Sequence, residues 1–288
     1  MTLKNRLDEG AFVLLAEMEP PKGVDTAPML ANALRVRERV DAFVVPEMSN
    51  AVMRMSSLGA SMILQARGLE TVMQVNCRDR NRLALQADLL AANGCGINSV
   101  MAVDGQEPGF GDHHQARSVY DVDLIGLLSA IDGLQRGRDM AGIELAGAPR
   151  LLVGSTTEAG AVGKSPELEA EEIHKKQEAG VRFLITPPLF DPALLTPFMH
   201  RIGTRVAVLP TVLLLKSLGM ARYMARNMAH IHIPDEVVAR IQDAPDKVRE
   251  CVQIAADTLV AFKKEGFPGA VIATLGWEHR LPEILDRM

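Results

Sequence analysis

Aromatic residues and cysteines are scarce in this sequence, and long apolar runs are lacking. Phe, Trp and Tyr make up 4% of the 288 residues, and the three cysteines have no metal-type spacing. Their odd number does not suit a disulfide framework, so we expect a reduced, cytoplasmic setting. No apolar run is long enough for a membrane-spanning helix, and the first residues lack a signal-peptide core. We therefore expect no membrane span.

An excess of positive charge is also lacking. The chain has 31 Lys and Arg against 36 Asp and Glu, a net charge of −5. This balance gives no support for nucleic-acid binding. The sequence is, however, 48% hydrophobic, which suits a well-packed domain. Because no linker, internal repeat or low-complexity segment interrupts it, we expect residues 1–288 to form a single domain.

Short apolar segments alternate with helical patterns about eight times along the chain. The unit from Val72 to Pro108 shows the pattern: apolar run, polar loop, amphipathic helix, apolar run, polar loop. Such a series predicts a (β/α)₈ TIM barrel, whose chemistry lies in the loops after the strands. A doubly wound open sheet would need a Gly-rich loop after the first strand, and residues 17–21 do not form one.

The apolar runs and the breaker residues also predict where the elements begin and end. We expect the first two long helices at residues 25–40 and 51–67, and Pro187 and Pro188 should end the sixth strand. The eight predicted strands span residues 12–17, 42–46, 72–77, 97–103, 150–154, 181–186, 205–215 and 269–275.

Polar residues follow several predicted strands and should meet at the barrel mouth. They are Glu17, Glu47, Asn76, Asp104, Gln106, Ser155, Thr156 and Thr186. Glu17 is the strongest candidate, because burial at the end of an apolar strand raises a carboxyl pKa and suits a general acid or base. The alternative for Glu17 is a salt bridge to Arg78 or Arg80.

The segment from Gly111 to His114 invites a metal-site interpretation. Asp112, His113 and His114 are consecutive rather than spaced along one face, so we expect no metal site. The loop is expected to cap the following helix or to cover the barrel mouth.

Several stretches, taken together and in order, resemble the methylenetetrahydrofolate reductase family, a group of flavin-dependent TIM barrels. The similarity covers nearly the whole chain and is greatest to the anaerobe-type and bifunctional branch. The matching stretches are residues 16–21, 76–82, 105–108, 111–113 with 120–123, 176–180, 185–186 with 190–191, 233–235 and 275–278.

This resemblance implies the reduction of 5,10-methylenetetrahydrofolate to 5-methyltetrahydrofolate, with FAD carrying the hydride. Glu17 matches the family's proton donor to folate N10. The implied cofactor-binding residues are Gln74, Asn76, Asp104, Gly105, Gln106, Tyr120, Thr156, Lys175 and Lys176. The implied substrate-binding residues are Glu17, Gln106 and Thr186.

The chain departs from the family pattern around the flavin and the folate. Gln106 stands where the family typically has Asp, Gln74 where it has His, and Pro187 where it has Gln. Asp104 replaces a frequent Arg, and Ser155 or Thr156 replaces a Tyr. Two alternatives therefore stay open: a flavin-free folate barrel for methyl transfer beside a corrinoid protein, and a non-catalytic subunit. We also expect a homo-oligomer or complex subunit, with an electron-donor protein as a candidate partner.

Overall fold

Eight parallel strands form a closed barrel in a computed structural model that describes residues 2–202 and 206–288. Each strand pairs with the next, and the eighth pairs with the first. The strands are β1 (Val13–Glu17), β2 (Ala42–Val45), β3 (Thr71–Asn76), β4 (Ser99–Val103), β5 (Leu152–Thr156), β6 (Phe183–Pro188), β7 (Ala207–Leu213) and β8 (Gly269–Ala273). The predicted (β/α)₈ barrel is confirmed.

Helices connect the strands and cover the outside of the barrel. They are α1 (Leu3–Asp8), α2 (Ala27–Val36), α3 (Ser57–Gln65), α4 (Arg82–Gly94), α5 (Leu124–Gln135), α6 (Pro166–Glu178), α7 (Thr196–Ile202), α8 (Leu218–Asn227), α9 (Asp235–Asp243), α10 (Lys247–Lys264) and α11 (Leu281–Leu285). No helix among the residues described is both long and apolar enough to cross a lipid bilayer.

Two buried apolar layers hold the barrel together. Side chains from all eight strands form an inner cluster, and a larger cluster lies between the strands and the helices. Phe183 fills the lumen beside Gly154, where an added Cβ would lie 2.1 Å from Phe183 Cζ. Helix α1, which the sequence pattern did not predict, contributes the fully buried Leu3 to the inner cluster.

The prediction that the two prolines end the sixth strand is wrong, because β6 continues through Pro188. The pairing with β7 shifts between Ile185 and Pro188. At this irregularity the Thr211 hydroxyl donates to Thr186 O at 2.7 Å, and the Thr211 N–H donates to Thr186 Oγ1 at 3.1 Å. The threonine side chains thus take part in hydrogen bonds at a point where proline, which has no N–H, cannot donate one.

Two predicted helix boundaries also differ. Helix α2 ends at Val36 rather than at residue 40, and α3 begins at Ser57 rather than at residue 51. Before α3, Met48, Asn50 and Ala51 have positive φ values between 49° and 56°, which a right-handed helix does not allow. The predicted start of the seventh strand, Arg205, lies outside the described residues.

Candidate functional site

Glu17 lies at the carboxyl-end mouth of the barrel and faces its lumen. Val13 and Leu15 of the same strand belong to the inner cluster, and alternate strand residues share a face, so Glu17 continues the inward row. Its side chain is only partly buried. Catalytic residues of barrel enzymes lie at the carboxyl ends of the strands, so the position of Glu17 suits a catalytic residue.

The surroundings of Glu17 favour its protonated form. Burial, together with the negative charges of Glu19 and Glu278, raises the pKa of Glu17 to about 7. No hydrogen bond or ion pair to the Glu17 carboxyl is found within residues 2–202 and 206–288. A carboxyl group with this pKa can both hold and release a proton near neutral pH.

The alternative that Glu17 pairs with Arg78 or Arg80 is wrong, because both arginines bind other groups. Arg78, which is 3% exposed, donates two hydrogen bonds of 2.6 and 2.7 Å to Asp79. Arg80 contacts Glu47 at 2.9 Å and Asp88 at 2.7 Å. Neither guanidinium is therefore available to hold Glu17 ionised.

Glu19 forms the ion pair that Glu17 lacks. Its carboxylate contacts Arg54 Nε at 2.9 Å, so the loops after β1 and β2 are joined. Glu19 Oε2 also lies against Gly276, where an added Cβ would be 3.7 Å away. The N–H of Gly276 in turn donates to Glu278 Oε1 at 3.0 Å. Three carboxylates thus surround the end of β1, and one of them has a direct cationic partner.

On the opposite side of the mouth, Arg78 joins the loop after β3 to the loop after β4 by hydrogen bonds. In addition to the Asp79 bonds, its Nη1 donates to Gln106 O at 2.6 Å. Asn76, which is fully buried, donates to Asp79 Oδ2 at 2.7 Å and accepts the Asp79 N–H at 3.0 Å. Gly105 has a φ of 90°, and a Cβ there would lie 2.9 Å from Arg78 Cβ. This close approach of the two loops therefore requires a glycine at position 105.

Gln74 of β3 lies two residues before Asn76 and faces the lumen, since Val72 of the same inward row belongs to the inner cluster. Its amide oxygen accepts the Glu47 N–H at 3.2 Å, and its amide nitrogen approaches Met101 Sδ at 3.9 Å. Glu47, which is 5% exposed, also accepts hydrogen bonds from the Ser57 hydroxyl. Glu47 and Gln74 therefore hold β2, β3 and α3 together.

Thr156 and Lys176 lie together at the end of β5. Lys176 donates to Thr156 O at 2.9 Å from helix α6 and is partly buried. Burial raises the pKa of Asp104, and the positive charge of Lys176 only partly opposes that rise. Lys176 therefore lies near both Thr156 and Asp104, and its role in ligand binding stays a prediction.

The remaining predicted residues lie further out or are already bonded. Lys175 is exposed and pairs with Glu172 at 2.6 Å. Tyr120 donates to Gly105 O at 3.1 Å, and its backbone has a φ of 40°. The Gln106 side chain is exposed. Thr186 is buried, and its hydroxyl bonds the backbone of β6 and β7 as described above.

The loop with Asp112 and the two histidines joins three segments at the rim. Asp112 accepts hydrogen bonds from Lys22, from the Met53 N–H at 3.0 Å, and from His113 Nδ1 at 2.8 Å. His114 Nδ1 contacts Gly109 O at 3.1 Å. In the part of the chain that the structure describes, no group of three His, Cys, Asp or Glu side chains is arranged to hold a metal ion.

These contacts fit a flavin poorly. Of the side chains that the family resemblance assigns to FAD, Gln74, Asn76 and Tyr120 are engaged with protein groups. Of the two lysines expected near its pyrophosphate, Lys175 pairs with Glu172 and Lys176 bonds Thr156 O. We therefore derive no reaction step through the flavin.

Two residues at the mouth were not singled out from the sequence. Lys216 follows the buried run Leu213–Leu215 and donates to Leu275 O after β8. Its ammonium lies 5.6 Å from the centre of the Trp277 ring. A cation that directly follows an apolar strand is the signal that would have identified Lys216. Trp277 lies within residues 275–278, one of the stretches that resemble the family.

Comparisons with known proteins agree with the barrel fold and identify the family of the chain. The family model described as Methylenetetrahydrofolate reductase matches residues 2–288. No curated protein matches the chain significantly.

Solved structures share the fold at low sequence identity. An uncharacterized Clostridium thermocellum protein that binds two copies of 5-methyl-5,6,7,8-tetrahydrofolic acid superposes with a TM-score of 0.65 at 13% identity, covering 99% of this chain and 97% of that one. A 2,3-dimethylmalate lyase of the PEP mutase/isocitrate lyase superfamily superposes with a TM-score of 0.56 at 10% identity, covering 99% and 82%. The match of the family model over nearly every residue shows that the chain belongs to the methylenetetrahydrofolate reductase family.

Proposed function

We propose that the barrel binds a one-carbon derivative of tetrahydrofolate at its mouth and that Glu17 is the acid that protonates it. The observation that carries this proposal is the position of Glu17, which faces the lumen at the end of β1 with a pKa of about 7. Family membership supports the folate as substrate class. The 5-methyltetrahydrofolate bound by the similar Clostridium thermocellum protein supports it further.

Opening the five-membered ring of 5,10-methylenetetrahydrofolate requires a proton on N10, because the amine leaves more readily as a neutral group. An ordinary glutamate is almost fully ionised at neutral pH and would be a poor donor. Glu17 holds its proton in a large fraction of molecules at pH 7, since its pKa is close to that value. Among residues 2–202 and 206–288, no cation pairs with the Glu17 carboxyl, which favours the protonated state.

Our first candidate for the whole reaction is the reduction of 5,10-methylenetetrahydrofolate to 5-methyltetrahydrofolate. This reaction also needs a hydride, which no side chain of the protein supplies and which FAD provides in the family. The electron donor in this candidate would be a nicotinamide or a partner protein. In this candidate the protein binds and orients the folate, and Glu17 moves the proton.

The second candidate is a flavin-free barrel that binds a methylated folate for methyl transfer or serves as a subunit of a larger complex. The internal hydrogen bonds of Gln74, Asn76 and Tyr120 favour it, because a flavin would have to compete with them for these groups. The two candidates share folate binding and Glu17 and differ in the flavin.

Calorimetric titration of the purified protein with 5-methyltetrahydrofolate tests the proposal. We expect saturable binding to wild type, and retained binding to a Glu17→Gln variant that keeps the same thermal midpoint. A folded wild-type protein that binds no reduced folate would overturn the proposal. A visible spectrum, taken before and after incubation with FAD and with FMN, then separates the candidates: flavin absorption favours the reductase, and its lack favours the flavin-free barrel.

A further inference from the structure

The exposed face of helix α4 is apolar along its whole length. It is formed by Leu83, Ala87, Leu90, Ala91 and Gly94, which lie one above another at helical spacing. Leu83 is 75% exposed, while Leu85 and Leu89 on the opposite face are buried in the core. A helix that is apolar on both faces is typical of one that is covered on both sides, so this exposed face suits a contact with protein.

The charged residues of α4 lie beside this face rather than on it. Arg82 pairs with Asp121 at 2.9 Å, and Asp88 pairs with Arg80 at 2.7 Å. With 3.6 residues per turn, positions 82 and 88 are rotated from the centre of the apolar face by about a quarter of a turn or more. Because both charges are paired within the chain and point to the sides, a partner could cover the face without burying an unpaired charge.

The apolar surface continues on both sides of α4. Helix α3 packs beside it, has no charged residue, and exposes Met62. On the α5 side, the turn after α5 is held against α4 by a hydrogen bond of 2.8 Å from the Met140 N–H to Gln86 Oε1. This turn exposes the side chains of Met140 and Ile143. The uncharged area is therefore wider than one helix.

Helix α6 shows, by contrast, the composition of a helix that faces solvent. Its exposed charged residues are Glu167, Glu171, Glu172, Lys175 and Glu178. A single exposed leucine, Leu168, lies among them and is 65% exposed. The two helices occupy equivalent places outside the barrel, so the lack of charge on α4 is a property of that helix and not of the fold.

The apolar face of α4 is complementary to itself about a two-fold axis. In an antiparallel pair that crosses at the middle of the helix, Leu83 of one copy lies opposite Gly94 of the other, and Leu90 lies opposite Ala87. Each leucine then meets a small residue. The charges of the helix ends match as well, because the positive N-terminal end of one helix lies beside the negative C-terminal end of the other. A parallel pair would place leucine against leucine and like ends together.

We propose that two copies of this chain form a dimer in which their α4 helices pack antiparallel about a two-fold axis. A standard interface involves about 20–30 residues of each copy, more than one helix face contains. Met62 of α3 and the turn with Met140 and Ile143 extend the contact beyond the helix pair. The dimer uses none of the residues proposed to bind or protonate the folate, so it is independent of the proposed function.

The molar mass in solution tests the dimer. Light scattering of the wild-type protein, measured over a range of concentrations, should give twice the 31.3 kDa of one copy. Ala87→Glu and Leu90→Lys each place a charge in the contact and should each give the mass of one copy, with an unchanged circular dichroism spectrum. Leu168→Glu is the matched control, because it adds a charge at an exposed leucine of α6, and it should remain a dimer.

A mixture of the two disrupted variants tests the antiparallel pairing. Position 87 of one copy lies opposite position 90 of the other, so the glutamate introduced by Ala87→Glu meets the lysine introduced by Leu90→Lys. The mixture should therefore form a heterodimer with twice the mass of one copy, although neither variant dimerises alone. This result also shows that both variants are folded.

A cysteine near the two-fold axis gives a second readout. Cys95 is exposed, whereas Cys77 and Cys251 are buried, so Cys95→Ser removes the accessible native thiol. In that background, Ala87→Cys places the thiols of the two copies close together, and mild oxidation should join them by a disulfide. Leu168→Cys in the same background is the control and should remain a single chain on a non-reducing gel.

Each outcome decides one part of the proposal. A wild-type protein with the mass of one copy at every concentration would overturn the dimer. A wild-type dimer that Ala87→Glu and Leu90→Lys leave intact would overturn the α4 contact, and a mixture that stays at the mass of one copy would overturn the antiparallel pairing. Twice the mass of one copy, lost in both variants and regained in their mixture, would establish the proposed dimer.

Discussion

The two sides of the barrel mouth differ in how their charged groups are satisfied. On the β3–β4 side, the buried Arg78 forms two bonds to Asp79 and a third to Gln106 O. On the β8–β1 side, Glu17 has a pKa of about 7 and lies near two further carboxylates, while Lys216 bonds a single backbone oxygen. The contacts on the β3–β4 side stabilise the loops there. On the β8–β1 side, the Glu17 carboxyl and the Lys216 ammonium have fewer protein partners and suit ligand binding.

This difference has a physical basis. A buried charge is costly unless it is paired, so paired charges stabilise the loops that they join. A buried carboxyl without a partner instead takes up a proton, which makes it an acid near neutral pH. We therefore expect proton transfer at the end of β1, beside β8. Arg78 instead stabilises the loops after β3 and β4 on the opposite side of the mouth.

The largest expected effect is on folate turnover. Replacing Glu17 by Gln should lower turnover of the folate substrate by about 10²–10⁴-fold, because a positioned acid supplies a rate factor of that size. Steady-state rates of matched preparations measure the change. Glu19→Gln is the control, since Glu19 pairs with Arg54 and should cost less than about tenfold. Near-normal turnover in folded Glu17→Gln protein would remove Glu17 from the mechanism.

Breaking the opposite rim should affect stability. Arg78→Ala leaves Asp79 without its ion-pair partner and should lower the free energy of unfolding by about 3 kcal/mol. Chemical denaturation measures it. Arg82→Ala is the matched control, because Arg82 pairs with Asp121 at 2.9 Å on the surface and its loss should be much less costly. Equal losses for the two variants would contradict the structural role of Arg78.

Glu17 should also make stability depend on pH. Its pKa is raised from 4.5 to about 7 in the folded protein, so the folded state binds more protons between these values. Stability contributed by this group therefore falls as the pH rises through that window, by a total of about 3 kcal/mol. Glu17→Gln should be more stable than wild type at about pH 8, with a much smaller gap at about pH 5. A gap that is independent of pH would show that the pKa is not raised.

The smallest expected effect separates two neighbouring lysines. Lys176 bonds Thr156 O at the mouth, and Lys175 pairs with Glu172 on the surface. Lys176→Met should weaken the binding of 5-methyltetrahydrofolate by about threefold, and Lys175→Met should have no effect. Calorimetric titration of both variants with 5-methyltetrahydrofolate measures the two affinities. An effect of Lys175→Met as large as that of Lys176→Met would place the ligand on the outer face of α6.

The sequence predicted the barrel well because each strand is a short apolar run followed by a polar loop. It also predicted the raised pKa of Glu17, since a carboxyl that ends an apolar strand is poorly solvated. It did not predict the continuation of β6 through Pro188, because the compensating hydrogen bonds come from Thr211 in another strand. Such pairings depend on register, which the local pattern does not contain.

The partners of individual charged groups were the least predictable part of the site. Arg78 and Arg80 both lay in a loop near the mouth and were equally suited to pair with Glu17. The structure directs Arg78 to Asp79 and Arg80 to Glu47, because loop geometry decides which carboxylate each long side chain reaches. Likewise, the pairing of Lys216 with Leu275 O joins residues 59 positions apart.

The most direct test of the account is a measurement of the protonation state of Glu17. Infrared difference spectra of wild type minus Glu17→Gln, recorded across pH, isolate the carboxyl C=O stretch of this one side chain. The account predicts a protonated band that disappears with a midpoint near the pKa of about 7 given by its burial and its acidic neighbours. A midpoint at the ordinary glutamate value of 4.5 would contradict it, because Glu17 would then be ionised at neutral pH and unable to serve as the acid.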